Sequence, residues 1–410
     1  MTKHSASIVV AGHVCLDIIP TFPSHKMSDT ARIQPGQLYL MGPAVCATGG
    51  AVSNTGLALH HLGVSTTLMG KVADDLFGTA ILDILRSYHP GLVEGMIVAL
   101  GENTSYSIVI SPPDLDRAFL HSPGANDTFH ASDVQLKPLQ GASLFHFGYP
   151  PLMKNFFTDG GLQLGELFRQ LQSQQLITSL DMSLPDPQSP AGGIDWVAWL
   201  ARVLPAVDLY LPSIEETLFM LDRQLYDSLL HRNASGSDKA IQDEFHDPQL
   251  LGRLSEQLLD LGAAVVVLKI GKQGLYLLSA NRGLRVGTDA PDPGLMPAGR
   301  TQNDWLQREL MAPCFEVEVA GTTGAGDSTI AGLLAAIVGG AGPSEAMVQA
   351  VAVGACSVEA ADATSGIRDV SEVWKRIYSG WKRRTNAPPK KGWTWDKSWG
   401  IWQGPGDART

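Results

Sequence analysis

Short apolar runs rich in β-branched residues alternate with stretches of helical periodicity along most of this chain. Three of the runs are each followed directly by a glycine, which favours the end of a buried strand; they cover residues 7–11, 142–147 and 263–270. Helical spacing of apolar residues is found between them, at residues 55–62, 161–172 and 250–261. Strands that alternate with helices are typical of a mostly parallel sheet wrapped by helices, so we expect an α/β fold.

Size and composition narrow the range of partners and protein classes that fit this chain. The chain has 410 residues, of which 44% are hydrophobic, enough for a sizeable core. The formal net charge of −11 argues against nucleic acid or an anionic membrane as the main partner. No apolar run in the sequence approaches the roughly 20 residues of a membrane span, and the first ten residues lack the apolar region of a signal peptide. The four cysteines are widely spaced without a C-x-x-C pair, so we expect reduced thiols in a cytoplasmic protein, and neither a metal site nor a disulfide framework.

A glycine-containing turn carries the strongest functional signal. Residues 322–327 are Thr-Thr-Gly-Ala-Gly-Asp, between a β-prone run at 315–319 and a small-residue helix predicted over 328–338. Glycines let the backbone approach a ligand, and the free amides at a helix start attract an anion. An acid beside an anion site, here Asp327, is explained if it accepts a proton from a substrate hydroxyl. The alternative is that Asp327 only complements the helix dipole, and the residues alone leave both interpretations open.

The hexad at 322–327 and the helix after it resemble the C-terminal signature of the ribokinase-like (PfkB) family of sugar and nucleoside kinases. The sequence is not a Walker A loop, because no Gly-Lys-Ser/Thr follows the glycines. The resemblance runs from about residue 8 to 376 and implies a ribokinase-like three-layer α/β/α sandwich with a mostly parallel central sheet and a small β lid. It also implies in-line phosphoryl transfer from ATP with Mg²⁺, in which charge is stabilised by the amides of Gly324, Ala325 and Gly326.

Candidate sugar-binding residues lie near the N-terminus. Asp17 follows the first predicted strand, at the sheet edge where α/β proteins bind ligands. Gly49 and Gly50 precede a predicted helix, and Asn54 lies in its first turn. A turn residue and a plain loop-to-helix junction explain the same residues equally simply. In the family, residues at these places bind substrate hydroxyls, and Ala51, where ribokinases carry Lys, favours fructokinase-like or broader sugar kinases.

A second acidic motif follows the predicted strand at 207–211. Ser213 and Glu216 have the spacing of a helix capping box, which explains them without any ligand. The family has Asn-x-x-Glu here, and its Glu orders magnesium-bound water near the phosphates. The resemblance therefore implies an indirect metal role for Glu216 through water, and no direct metal ligand.

A predicted hairpin supplies candidate nucleotide contacts. The apolar run at 263–270 is followed by a glycine turn and a second β-prone run at 275–278. A lysine within an apolar strand is unusual, which favours a functional role. In the family this hairpin borders the nucleotide, so the resemblance adds as candidate ATP contacts Lys269, Gly271, Gly274 and, from the signature, Thr323.

The resemblance also predicts the domain organisation. The kinase domain would cover residues 1–380, followed by a Trp-rich basic tail at 381–410. Within the kinase domain we expect a lid from about 15–46 and 95–122, which in the family often forms a dimer contact, so a homodimer is expected. A β-prone piece at 37–41 would belong to the lid, and two Pro/Gly-rich or polar insertions are expected at about 223–249 and 281–313.

The tail has two interpretations. Its five tryptophans are interleaved with lysines and arginines, a composition that can bind nucleic acid by stacking and charge. We favour an arm that docks its rings on the enzyme body or on a second subunit, because the chain as a whole is acidic. We therefore expect a small-molecule partner, with no nucleic acid and no membrane.

One departure from the family pattern affects the cofactors. The family has Asp where this chain has Gly321, and that Asp helps to arrange a monovalent-cation site, so a monovalent cation is a doubtful cofactor here. Two further functions stay open at this point. One is an adenosine-kinase-like nucleoside kinase, and the other is a non-catalytic ligand-binding relative.

Overall fold

A computed structural model describes residues 7–22, 35–111, 118–135, 137, 139–234, 247–284, 302–384 and 392–408. The strands are β1 Ser7–Gly12, β2 Cys15–Pro20, β3 Ala44–Gly49, β4 Ser65–Met69, β5 Lys71–Ala73, β6 Ile97–Ala99, β7 Tyr106–Ile110, β8 Ala118–Ser122, β9 Leu144–Gly148, β10 Ile177–Asp181, β11 Leu209–Tyr210, β12 Val265–Lys269, β13 Leu275–Ser279, β14 Glu309–Ala312, β15 Thr394–Asp396 and β16 Ile401–Gln403. The helices are α1 Ala51–His61, α2 Leu76–Tyr88, α3 Lys154–Thr158, α4 Leu162–Ser173, α5 Trp196–Val203, α6 Ile214–Leu221, α7 Arg223–Ala234, α8 Pro248–Asp260, α9 Ala325–Val338, α10 Pro343–Ser357 and α11 Val370–Tyr378.

Ten of the described strands form the main sheet, in the order β15-β16-β14-β13-β12-β11-β10-β9-β1-β4. The six strands from β12 to β4 in this order are parallel to their neighbours. The strands from β13 to β15 pair antiparallel and extend one edge. The sheet is therefore mostly parallel in its centre, and parallel strands end at one common edge, where α/β proteins bind ligands.

Helices cover both faces of the main sheet. In β1, Ile8 and Val10 pack into a core shared with α1, α2, α9 and α10, whereas Val9 and Ala11 face a second core shared with α3 to α8. Alternate residues of a strand point to opposite faces, so a strand buried on both faces has a continuous apolar sequence. The predicted three-layer α/β/α sandwich is thus confirmed.

A second sheet of four strands lies apart from the main one, in the order β3-β2-β7-β8. Its strands come from residues 15–20, 44–49, 106–110 and 118–122; all but the end of β3, which runs past residue 46, lie within the ranges predicted for the lid. The pairing of β2 with β7 is parallel, and the other two pairings are antiparallel. We call this four-stranded sheet the lid sheet.

Several predicted elements differ from the structure. Residues 37–41 and 315–319 form no strand; in the second range only Phe315 makes an isolated bridge, with Arg383. The region predicted as an insertion at 281–313 contributes β14 to the main sheet, and the region 223–249 begins with α7. The middle of each predicted insertion lies outside the described residues.

The C-terminal segment joins the body of the protein. Strand β16 pairs with β14, and Trp381 stacks on Phe315 at a ring-centroid distance of 4.4 Å. The buried ion pair between Arg308 and Asp407 fastens the segment to the main sheet. The favoured interpretation of the tail, an arm that docks on the enzyme body, agrees with these contacts. Among the helices of the described ranges, none combines the length and the hydropathy that a membrane span requires.

Candidate active site

A cavity of about 930 Å³ lies where the parallel strands of the main sheet end, between that edge and the lid sheet. Strands β1, β9 and β10 end beside it, and the start of α9 reaches it from the C-terminal half of the chain. The cavity brings together candidate residues that are far apart in sequence; those lining it are Asp17, Gly50, Asn54, Glu216, Thr323, Gly324 and Asp327.

Asp327 lies in the first turn of α9 and is only 3% exposed. The helix begins at Ala325, three residues earlier than predicted, after Gly324 in a left-handed conformation with φ of 68°. This conformation costs a residue with a side chain more than it costs glycine, which accounts for the glycine before the helix. The structure thus places the carboxyl group inside the cavity, at the positive end of the helix dipole.

Three donors hold the carboxylate of Asp327. Asn54 Nδ2 donates to Oδ2 over 3.0 Å, while Thr55 Oγ1 and Tyr149 OH donate to Oδ1 over 3.3 and 2.8 Å. Burial raises the pKa of Asp327, and these donors together with the charge of Lys269 act against that shift. A carboxylate that is fixed in place and has a raised pKa suits proton acceptance from a bound alcohol.

The turn before α9 has the geometry of an anion site only in part. The first amides of a helix have no intrahelical partner, and here the amide of Ala325 makes a long hydrogen bond of 3.4 Å to Thr322 O. A Cβ added at Gly326 would lie 3.6 Å from Lys269 Cδ, so the bare backbone of Gly326 faces the lysine side chain. The start of α9 and the positively charged side chain of Lys269 therefore lie next to each other.

Asp17 lies on β2 of the lid sheet, beside the glycine pair. A Cβ added at Gly49 would come within 2.4 Å of Asp17 Oδ2, so the carboxylate occupies the space that a side chain at position 49 would need. The absence of a side chain at Gly49 is therefore what lets Asp17 turn toward the cavity.

A buried ion pair joins the ends of two central strands. Lys269 Nζ, at the end of β12, lies 2.5 Å from Asp181 Oδ1, at the end of β10. Burial opposes the charge of Lys269, but Asp181 and Glu216 outweigh it and raise the pKa of the lysine. A permanent positive charge thus stands near the start of α9, although Lys269 contacts a carboxylate that sequence reasoning did not single out.

Glu216 forms the predicted capping box with Ser213. The amide of Ser213 donates to Glu216 Oε2 over 2.6 Å, and the amide of Glu216 donates to Ser213 Oγ over 3.1 Å. The side chain also borders the cavity, and burial raises its pKa. One carboxylate oxygen is therefore engaged in capping while the side chain faces the site.

The two hairpin glycines lie in the turn between β12 and β13 and do not line the cavity. A Cβ added at Gly274 would come within 1.9 Å of Ala312 O, whereas one added at Gly271 would meet open space. Close packing against β14 thus explains why residue 274 is a glycine without any nucleotide. The space beside Gly271 is open, so a ligand could approach there.

Gly321, where the family has the Asp of the monovalent-cation site, leaves no room for a side chain, because backbone carbonyls fill the space beside it. A Cβ added at Gly321 would lie 2.8 Å from Ala361 O and 2.9 Å from Ala360 O. A larger side chain at 321 would require these carbonyls to shift.

Sequence reasoning missed several residues that the structure brings to the cavity or its wall. Tyr149 follows β9 with an unusual positive φ of 66°, and its hydroxyl reaches Asp327. A non-glycine residue in this conformation at the end of a central strand is a functional signal in a structure, but the sequence shows only a Gly-Tyr-Pro turn. The other missed residues are Thr55, Asp181, His13, Cys15 and His121.

Comparison with known proteins agrees with this geometry. The family model described as pfkB family carbohydrate kinase matches residues 5–292 and 303–369. The chain is 24% identical to probable fructokinase-4 of Arabidopsis thaliana over 334 residues, which cover 81% of this chain and 82% of the relative. Other plant relatives match over less of their length; fructokinase-2 of Solanum lycopersicum is 28% identical over 146 residues, 35% of this chain and 41% of the relative.

Solved structures share the fold at lower identity. A fructokinase with bound ATP from Xylella fastidiosa superposes with a TM-score of 0.64 and 18% identity, covering 92% of this chain and 99% of the other. A putative ribokinase II in complex with ATP and Mg²⁺ from E. coli superposes with a TM-score of 0.63 and 18% identity, covering 91% and 99%. These likenesses show the fold.

Proposed function

Because this chain belongs to the pfkB family of carbohydrate kinases, we propose that it transfers the γ-phosphoryl group of ATP to a hydroxyl of a small sugar or sugar derivative. The observation that carries this proposal is the buried Asp327, held by three hydrogen-bond donors at a helix start that faces the same cavity as Asp17. This arrangement pairs a proton acceptor with an anion-binding helix end.

In the proposed reaction, Asp17, Asn54 and the backbone at Gly49 and Gly50 hold the sugar. The carboxylate of Asp327 takes the proton of the attacking hydroxyl, whose oxygen then bonds to the γ-phosphorus. The bond from that phosphorus to the bridging oxygen breaks, and ADP leaves as the sugar phosphate forms. Charge on the transferring group is stabilised by the backbone amides of Gly324, Ala325 and Gly326.

The nucleotide side of the proposal rests on residues near α9. Thr323 and Lys269 lie beside the start of this helix, and Gly271 would meet the nucleotide from the hairpin turn. Gly274 keeps its assignment as a candidate ATP contact, with a packing role on β14 that explains it equally well. Mg²⁺, when bound to the phosphates, would neutralise their charge, and Glu216 would hold one of its water ligands.

We propose a fructokinase-like or broader sugar substrate, because of Ala51 after the glycine pair and the similarity to plant fructokinases. The test is a coupled ADP-release assay on the purified chain with hexoses, pentoses, keto-deoxy sugar acids and nucleosides. We expect sugar-dependent turnover, with a ketohexose among the best acceptors. Turnover confined to nucleosides would contradict the sugar assignment, and ATP binding without any turnover would favour a non-catalytic relative.

We also propose that the chain forms a homodimer through the lid sheet. Val45 and Phe119 are 56% and 54% exposed, although both are large apolar residues of this small sheet. Light scattering coupled to size exclusion should give a dimer for the native chain and a monomer for the Val45→Asp, Phe119→Asp double variant. Leu162→Asp, at an exposed apolar residue of α4, is the matched control and should stay dimeric. A native monomer at micromolar concentration would contradict the proposal.

A cytoplasmic location completes the proposal. All four cysteines are free, which suits a reducing compartment. The net charge of −11 supports a small-molecule partner over nucleic acid. Subcellular fractionation of the source cells tests the location directly.

A further inference from the structure

Beside the proposed sugar site, a cluster of three metal-ligating side chains borders the cavity. One ligand atom from each of His13, Cys15 and His121 lies within 4.8 Å of the other two. His13 and Cys15 are 2% and 3% exposed, and all three side chains line the cavity. The proposed kinase reaction uses none of them.

The register of the lid sheet brings this cluster together. Asp17 of β2 pairs with Ser107 of β7, and Ser107 pairs with His121 of β8. Directly paired residues point to the same face of a sheet, as do residues two apart in one strand, so Cys15 joins Asp17 on that face. Four side chains with ligating or supporting atoms therefore point to one side of the lid sheet.

The distance between the two imidazoles is that of a metal site. His13 Nε2 lies 3.3 Å from His121 Nε2. With zinc–nitrogen bonds of about 2.0–2.1 Å, two nitrogens of a tetrahedral site lie roughly 3.3–3.4 Å apart. Cys15 Sγ lies within 4.8 Å of both imidazoles and is the third donor, which leaves one position of a tetrahedral site open toward the cavity.

The surroundings of the cluster support this interpretation. Ser107 Oγ lies 3.0 Å from His121 Nδ1 and 3.7 Å from Cys15 Sγ, the place of a partner that orients metal ligands. His13 Nδ1 is buried without a hydrogen-bond partner in the described part of the chain. A buried polar atom without a partner costs free energy, so the fold does not gain stability by placing His13 there.

We propose that His13, Cys15 and His121 bind a borderline transition-metal ion of the Zn²⁺ class, with the fourth ligand position open to the cavity. Two imidazoles with a thiolate select Zn²⁺ and related ions over Mg²⁺ or Ca²⁺, which prefer oxygen ligands. Because these three side chains line the cavity in which the sugar is proposed to bind, the metal ion and the sugar would compete for that cavity. This second consequence rests on the proposed function, whereas metal binding itself does not.

The binding test uses the full chain, freed of metal with a chelator, and titrates it with Co²⁺ as a spectroscopic substitute for Zn²⁺. We expect one ion per chain, with the ligand-field bands of a tetrahedral site and a thiolate-to-metal charge-transfer band. Cys15→Ser should abolish the charge-transfer band, and His121→Gln should weaken Zn²⁺ binding more than about tenfold, as loss of even a supporting partner does. Cys46→Ser, at an exposed cysteine of the lid sheet, is the matched control and should bind like the native chain.

Circular dichroism of each variant shows that it is folded, so a loss of binding is assigned to the ligand itself. Binding that is unchanged in both Cys15→Ser and His121→Gln, or absent from the native chain, overturns the proposal. In the kinetic arm, Zn²⁺ should raise the KM for the sugar without lowering kcat at saturating sugar. Inhibition that excess sugar does not relieve would overturn the competition between metal and sugar while leaving the spectroscopic result intact.

Discussion

Two buried ion pairs of this molecule each join a basic side chain to an aspartate, but they differ in how many other hydrogen bonds surround them. Lys269 and Asp181 join strand ends beside the candidate active site, while Arg308 and Asp407 fasten the C-terminal segment to the edge of the main sheet. In both pairs the carboxylate is almost fully buried, at 1% and 4% exposure. What differs is how completely the remaining polar atoms are satisfied.

At the C-terminal edge the atoms of the pair have several partners. Arg308 Nε donates to both oxygens of Asp407, its Nη1 donates to Asp304 O, and the amide of Glu309 donates to Asp407 Oδ2. Buried charges are tolerated when they are paired and hydrogen-bonded in this way. The edge pair is therefore a structural connection.

Beside the cavity the pair is incomplete. Asp181 Oδ2 has no hydrogen-bond partner among the described residues, and the carboxylates of Glu216 and Asp327 act on the same lysine. More negative than positive charge is thus gathered in a buried place, which costs stability unless a ligand supplies cations or donors. The difference between the pairs is that, among the described residues, the pair beside the candidate active site lacks hydrogen-bond partners, whereas the pair at the sheet edge has them.

The largest expected effect comes from Asp327→Asn, which should lower kcat about 10²–10⁴-fold, because the neutral amide accepts no proton. The same change should leave the melting temperature equal or higher. Burial raises the pKa of Asp327 in the folded state, so stability from protonation is present at low pH and is lost as pH rises through the folded pKa. At neutral pH the buried charge of Asp327 lowers the stability of the fold, and the neutral amide of Asn removes this loss.

The measurement is steady-state kinetics on the best substrate together with thermal denaturation at pH 7. Near-native kcat in Asp327→Asn would refute the proton-acceptor role. A marked fall in melting temperature would show that this carboxylate belongs with the structural pair and not with the site.

The opposite pattern is expected for Asp407→Asn. Removing one partner of a buried pair leaves the charge of Arg308 uncompensated, which costs about 3–5 kcal/mol of unfolding free energy. Activity of the folded protein should not change, because the pair lies at the far edge of the sheet. Urea denaturation gives the free energy, and kcat is measured below the transition.

Glu166→Gln is the matched control for this variant, since Glu166 pairs with Arg169 on an exposed helix surface. Such pairs are worth about 0–1 kcal/mol. Equal effects of Asp407→Asn and Glu166→Gln on stability would remove the distinction between a buried connection and a solvated one.

The same distinction governs what sequence reasoning could predict. Asp17, Asn54 and Asp327 do line one cavity, but they reach it from β2 of the lid sheet, from α1 and from α9, and not from the ends of the parallel strands where the sequence pattern had placed Asp17. A local pattern also predicted the capping box of Ser213 and Glu216.

Features that depend on pairing between distant elements could not be predicted in this way. Strand β14 has only four residues within a Pro/Gly-rich region, and it becomes a strand because β13 and β16 pair with it. The contacts of Asp181 with Lys269 and of His13 with His121 join residues 88 and 108 positions apart. A single sequence holds no record of the sheet order and register that create them.

The smallest expected effect tests how the hydrogen-bond donors around Asp327 set its pKa. Tyr149 OH donates to Asp327 Oδ1 and so lowers the pKa that burial raises. In Tyr149→Phe this donor is lost and the pKa of Asp327 rises further, so the acid limb of the kcat–pH profile should move to higher pH. At the pH optimum kcat should fall only several-fold, because Asn54 and Thr55 still hold the carboxylate of Asp327. Thr55→Val, which removes the longer 3.3 Å bond to the same oxygen, should move the limb in the same direction by less. An acid limb that stays in place in both variants, with kcat reduced equally at every pH, would contradict this prediction. It would mean that Tyr149 and Thr55 only position the carboxylate, and that other groups set the pKa of Asp327.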